Sequence, residues 1–202
     1  MSTREGVKTR QTVNVTRDEM DRRIARFNLL RPQSVYHNEA EIPRKAYEMV
    51  SAKTLYTLMA PSTRAGPMSA SPAVVSDDKL SVIIAECPPG DKPMLHVHFH
   101  TTEHFFCLTG RFKVRWGDEG ESETILEPFD MIAVPKGVCR DFTNIADGPA
   151  YLLVFITGGS EDDYSDIAFT PSESKRFKDE FGDHVAAKLE SIGFSFMDEK
   201  ST

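Results

Sequence analysis

The 202-residue sequence predicts an all-β fold with helical N- and C-terminal extensions, and three observations predict it. Between about Lys53 and Gly159 short β-rich runs recur, separated by clusters of Gly, Pro and Asp, the texture of a closed barrel or sandwich. Helix-capping signals stand before and after that region. Hydrophobic residues make up 40% of the chain and charged residues 27%, enough apolar material for one core and too little charge for global disorder.

Taken in order, residues 1–15 carry no hydrophobic periodicity and are expected to form a mobile tail. Thr16 and Glu19 make a capping box, and Met20, Ile24 and Phe27 follow at helical spacing, so a short helix is expected from Thr16 to Leu30. Pro32 and Pro43 break the next stretch, with room for one or two helical turns between Pro43 and Val50. Expected strands are Leu55–Met59, Ala73–Ser76, Leu80–Glu86, His104–Leu108, Phe112–Trp116, Thr124–Leu126, Met131–Val134 and Tyr151–Thr157. Thr170-Pro171-Ser172-Glu173 supplies an N-cap, a proline at the first helical position and a capping acid. Phe177 and Phe181 stripe the helix that follows, and Gly182 ends it. Asp183 then caps a second helix carrying Val185, Leu189 and Ile192, which stops at Gly193. The expected organisation is an arm with a short helix over residues 1–50, a β-barrel over 51–160 and a helical tail over 161–202.

Composition excludes several classes of partner. No apolar run approaches the roughly 20 residues of a membrane span, and no apolar core of a secretory signal follows Met1. Three cysteines, Cys87, Cys107 and Cys139, are an odd number without metal-finger spacing, which disfavours a disulfide framework. A soluble, cytoplasmic, reduced protein is expected. The net charge of −7 argues against nucleic acid, which wants a basic face. That charge is uneven: residues 1–31 hold eight basic and four acidic residues, and residues 161–202 hold eleven acidic and five basic. The basic arm can lie on the acidic tail, of its own chain or a partner's, or both ends can simply be solvated.

The chemistry concentrates between Gly90 and Gly110. His96 and His98 are two apart, so on a strand both imidazoles leave the same face. Glu103 follows after a short turn, where an antiparallel neighbour can aim it at the same point. Two imidazoles and one carboxylate on one side of a metal leave coordination positions open, an arrangement suited to Fe(II) that also accepts Mn, Co, Ni or Zn.

Gly90, His96, His98, Glu103 and Gly110 resemble, position for position, the first motif of the cupin superfamily. In the second motif Asp130, Pro135, Gly137 and Asn144 fit, whereas Phe129 stands where the family has Gly and Arg140 where it has its last metal-binding His. The resemblance is tight over residues 80–157. It implies a double-stranded β-helix, or jelly roll, and a homodimer. Activity stays open, because this superfamily spans dioxygenases, decarboxylases, isomerases, storage proteins and sensors.

Other residues of the segment have plainer roles. His100 continues the alternation but is expected in the turn, and His104 should point away from Glu103. Phe105 and Cys107 share Glu103's parity and are expected as pocket walls or core. Cys139, beside Arg140, is either a thiol of lowered pKa or, more simply, a small buried hydrophobe. Trp116 is expected as a core anchor. Arg140 cannot ligate a metal, because a guanidinium has no acceptor. Buried, it needs a partner, which can be Glu103, an anionic group of a substrate, or Asp130.

The function expected is a metal-dependent enzyme, dioxygenase- or isomerase-like, acting on a small and anionic organic molecule. His96, His98 and Glu103 would hold a divalent transition metal (Fe, Mn, Ni or Zn). Arg140 would anchor the substrate, with Phe105 and Cys107 in the pocket wall. The competing expectation is a non-catalytic small-molecule-binding cupin, metal-free or with a structural metal. A DNA-binding sensor is set aside, since the arm offers one helix and then Pro-broken sequence.

Overall fold

Along Leu80–Cys87 and Ala150–Thr157, buried residues alternate with part-buried ones, so each strand turns one face inward. The computed structural model describes residues 12–32, 42–61, 72–76, 79–158 and 166–198. The first sheet has six strands in the order β2 (Val74–Val75), β1 (Thr54–Ala60), β3 (Leu80–Cys87), β10 (Ala150–Thr157), β5 (Thr102–Cys107) and β8 (Met131–Val134). The second, also six-stranded, runs β12 (Phe194–Phe196), β11 (Ile167–Phe169), β4 (His96–His98), β9 (Arg140–Asn144), β6 (Phe112–Trp116) and β7 (Ser122–Leu126). The two sheets form a double-stranded β-helix. Phe105 of the first sheet meets Phe142 of the second at 5.3 Å between ring centroids, and Phe112 lies 6.1 Å from Phe142.

The ends of the chain depart from expectation where local signals lack a surface to bury against. The capping box at Thr16 forms, yet α1 spans only Arg17–Asp21 and buries nothing. So short a helix gains little without packing, and Met20 and Ile24 remain exposed. A 3₁₀ turn at Phe27–Leu29 follows, with Phe27 against Tyr56 and Tyr151 at 4.9 and 6.0 Å. The described part of the arm therefore meets the first sheet. Residues 1–11 of the expected tail lie outside the described residues. Between Pro43 and the barrel, α2 (Arg44–Val50) buries Ala46, Tyr47 and Val50.

The tail is not helical alone: β11 and β12 add two short parallel-paired strands to the second sheet. They escape a sequence reading because each is only three residues long, and Ile167-Ala168-Phe169 is buried on both faces. Between them lie α3 (Pro171–Phe181), capped by Thr170, and α4 (Asp183–Glu190). Gly182, not Asp183, is the N-cap of α4. Phe177 of α3 packs on Phe196 of β12 at 4.9 Å, fastening the helices to the second sheet. Trp116 is only half-buried. No described helix is long and apolar enough to cross a membrane.

Candidate metal centre

His96 and His98 project from β4, while Glu103 reaches them from β5 in the facing sheet. The carboxylate is thus not on an antiparallel neighbour of the histidine strand, as expected, but arrives across the barrel. The turn at residues 99–101 carries the chain from one sheet to the other. All three residues are buried, and their ligand atoms lie within 4.8 Å of one another. Glu103 Oε2 is 3.9 Å from His96 Nε2 and 3.7 Å from His98 Nε2. Among the described residues, this group could hold a metal ion.

The outer nitrogen of each ring is committed elsewhere. His96 Nδ1 is 2.8 Å from the Met94 carbonyl, and His98 Nδ1 is 2.9 Å from Asp166 Oδ1. A carbonyl and a carboxylate only accept, so each Nδ1 carries the proton and each Nε2 presents its lone pair toward Glu103. That tautomer is what a metal requires of an imidazole, and a carboxylate behind the ring raises its basicity. The donor set fits a divalent transition metal.

Asp166 escaped the sequence reading. It stands 68 positions from His98, just before β11, and no spacing rule links the two. The only trace is an acid preceding the apolar run Ile167-Ala168-Phe169. Its Oδ2 also accepts from the backbone N–H of His100 at 2.6 Å and of Thr101 at 3.2 Å. Thr101 Oγ1 donates to Oδ1 at 3.0 Å. Burial pushes the Asp166 carboxyl up, but these bonds, His98 foremost, outweigh it and bring it to about 2.

Arg140 sits beside His96, its strand partner in the β4–β9 pair. Its Nε donates to Glu103 Oε2 at 3.0 Å and its Nη1 to the Val138 carbonyl at 3.3 Å. Of the three partners open to it, Arg140 takes Glu103. Nη2 is buried with no hydrogen-bond partner among the described residues. Burial, then the Arg140 charge, pushes His96 down to about 3 and lowers His98 as well. Burial alone would raise Glu103, but Arg140 and the two histidines hold it below the ordinary carboxylate range. The site therefore rests with neutral imidazoles and an ionised carboxylate.

The space in front of these groups is about 60 Å³, lined by Leu55, Ile83, Val154, Ile156, Ile167 and Phe194 among others. Phe105, Cys107 and Arg140 do not line it. Phe105 is spent on the contact with Phe142. Cys107 is directed to the carbonyls of Thr109 and Gly110. Arg140 lies behind Glu103, which removes the sequence-based ground for an anionic substrate. Cys139 does not have a lowered pKa: burial, then Asp118, raises it against the pull of Arg140. His100 is exposed in the turn, and His104 faces away, with Nε2 3.5 Å from Thr157 Oγ1.

Residues 83–156, which hold His96, His98, Glu103 and Arg140, match the cupin domain family. Among solved structures, the chain is similar to TT1209 from Thermus thermophilus, with 27% identity and a TM-score of 0.38 over 42% of this chain and 78% of that one. A sugar phosphate isomerase of the cupin superfamily from Silicibacter pomeroyi is 27% identical, with a TM-score of 0.36 over 39% of this chain. The match spans 50% of that isomerase. A protein from Bacillus halodurans is 19% identical, with a TM-score of 0.40 over 43% of this chain and 68% of that one. No curated protein matches the chain.

Proposed function

We propose that the chain is a metal-dependent cupin enzyme, of dioxygenase or isomerase type, that acts on a small organic molecule in the barrel cavity. The observation that supports it most is the pair of fixed tautomers, with both Nε2 lone pairs turned to Glu103 while Met94 and Asp166 hold the far side of the rings. The ligating groups and the partners that orient them are both present, and relics of a lost site have no reason to keep the latter. A bound Fe, Mn, Ni or Zn ion would supply Lewis-acid polarisation at positions left open to substrate.

The chain's own residues do the rest. Burial keeps His96 and His98 uncharged at neutral pH, so neither must shed a proton before it can donate. Arg140 orients the Glu103 carboxylate and compensates its charge in a dry interior. The apolar walls exclude water from the reacting group.

A second reading has its own support. Arg140 puts a positive charge on the carboxylate that a metal would use, which favours a metal-free binding protein. Elemental analysis of the purified protein separates the two. Fe, Mn, Ni or Zn at about one per chain, lost in His96→Ala, supports the enzyme. No metal after loading with each ion sinks it. We also propose that the protein is cytoplasmic, since its three buried thiols are unpaired, as in a reducing compartment, and that it is a homodimer, as the resemblance to cupins implies. Light scattering at one chain mass would remove the dimer.

A further inference from the structure

We propose that Phe194 sets the length of the ligand that this cavity takes. The ligand lies with its head at His96, His98 and Glu103 and a short apolar tail running toward the seam between β1 and β12, where the Phe194 ring stops it. The proposal rests on the reading of the cavity as the substrate site and adds to it the shape of the substrate and the residue that limits it.

The direction of the tail follows from where the walls come from. Strands β1, β3, β10, β11 and β12 all contribute to the lining, whereas β6, β7 and β8 contribute nothing. The cavity therefore extends from the three ligand residues toward one side of the barrel. In the first sheet β1, which supplies Leu55, lies three strands from the β5 that carries Glu103. In the second sheet His98, Ile167 and Phe194 are register partners across β4, β11 and β12. At about 4.8 Å per strand, Phe194 stands about 10 Å from His98 along that row.

The far end is built by segments outside residues 83–156, the part that matches the cupin domain family. Val50, Ser51 and Ala52, in the bend from α2 into β1, line it together with Phe194. Tyr47 of α2 meets the Phe194 ring edge-on at 6.4 Å, and Phe169 stacks on it at 5.7 Å with 21° between the planes. Phe194 itself is 2% exposed. A ring held between two aromatic neighbours in a close-packed interior is a fixed wall. The Ser51 hydroxyl, the one polar side chain at this end, already donates to the Ala52 carbonyl at 3.1 Å. A polar tail would find no partner here, so the tail is apolar. Because these walls stand at the opposite end from the three ligand residues, the same tail is selected with or without a metal ion.

The test uses straight-chain alkanols from propan-1-ol to octan-1-ol, all uncharged. Each is titrated into the full chain with labelled isoleucine methyls, with Zn²⁺ and again without it. The Ile83, Ile156 and Ile167 signals, all from the cavity wall, are followed by NMR. One water needs on the order of 10–15 Å³ of such space, so the parent's 60 Å³ takes a handful of heavy atoms. Affinity in the parent should rise by about fourfold per methylene while room lasts and fall beyond about pentan-1-ol. In Phe194→Ala, and by a shorter step in Phe194→Leu, the rise should continue to longer chains. Heptan-1-ol should then bind Phe194→Ala about tenfold or more tightly than the parent, with propan-1-ol unchanged within about twofold. Phe177→Leu alters a fully buried ring outside the lining and should leave the parent's limit in place.

A limit that Phe194→Leu does not move, or that Phe177→Leu moves as far, overturns the proposal and leaves the cavity as a ligand site. No response to any alkanol overturns both. Failure to bind Zn²⁺ shows separately, because the limit is read in the metal-free series as well.

Discussion

Arg140 donates from Nε to Glu103 Oε2 at 3.0 Å, with the guanidinium side chain fully withdrawn from solvent. The family's second motif has an imidazole at this position, so the chain exchanges a neutral donor for a fixed cation. Two consequences follow from elementary electrostatics. The carboxylate is compensated before any metal arrives, and the metal must share Oε2 with a hydrogen bond and approach a like charge. The compensation has a structural use as well, because a buried unpaired carboxylate would be costly.

Replacing Arg140 with His should therefore tighten metal binding. The variant gains an imidazole and loses a like charge beside the metal. Calorimetry with Mn²⁺ or Zn²⁺ should show affinity higher by about tenfold or more, equivalent to about 1.4 kcal/mol. Unchanged affinity would mean that Arg140 does not compete for Glu103.

Removing only the acid should damage the fold. In Glu103→Gln the buried guanidinium keeps a weak partner, and breaking one side of a buried pair costs about 3–5 kcal/mol. The double variant Glu103→Leu, Arg140→Met should recover most of that loss in urea denaturation, because no buried charge is left. A double variant as unstable as the single one would contradict the pairing.

Asp166 acts on the metal site through His98. In Asp166→Asn the ring keeps an acceptor at 2.9 Å distance in the parent geometry but loses the charge behind it. Metal affinity should fall by about 10–100-fold, with the circular dichroism spectrum unchanged. Parent-like affinity would leave Asp166 as an anchor of the Thr101 turn alone.

These sites differ in how far the sequence exposes them. His96 and His98 share a face because a strand has a period of two, and that is visible in three letters of sequence. Glu103 could be chosen as the third donor, but its arrival from the opposite sheet depends on a turn whose path no local rule dictates. Asp166 and Arg140 depend on tertiary placement altogether. The β-rich centre was legible from alternation, and α3 from Thr170 and Pro171, because those signals act within one turn of chain. The arm helix stops at Asp21, short of its periodicity, because Met20 and Ile24 have helical spacing but no core to meet. Phe105 and Cys107 do share the buried face of β5 with Glu103, yet Phe105 is taken up by its contact with Phe142 and Cys107 is directed to the Thr109 and Gly110 carbonyls, so neither lines the cavity.

Phe129 offers a stability test away from the site. It takes φ +77° and is 76% exposed, in the turn closed by Asp130 N–H on the Glu127 carbonyl at 2.9 Å. A bulky residue in the left-handed region is strained by about 1–3 kcal/mol, and glycine relieves that at a smaller entropic cost. Phe129→Gly should raise stability by about 1 kcal/mol in urea denaturation. A loss would show that its ring, 6.4 Å from Phe106, contributes more than the strain removes.

The most direct test of the metal centre is anomalous diffraction at the cobalt edge from crystals soaked in Co²⁺. A single strong peak bounded by His96 Nε2, His98 Nε2 and the Glu103 carboxylate, absent from His96→Ala crystals, is the expected result. Full loading in solution with no peak at these three residues, and the guanidinium of Arg140 still on Glu103, would contradict the account.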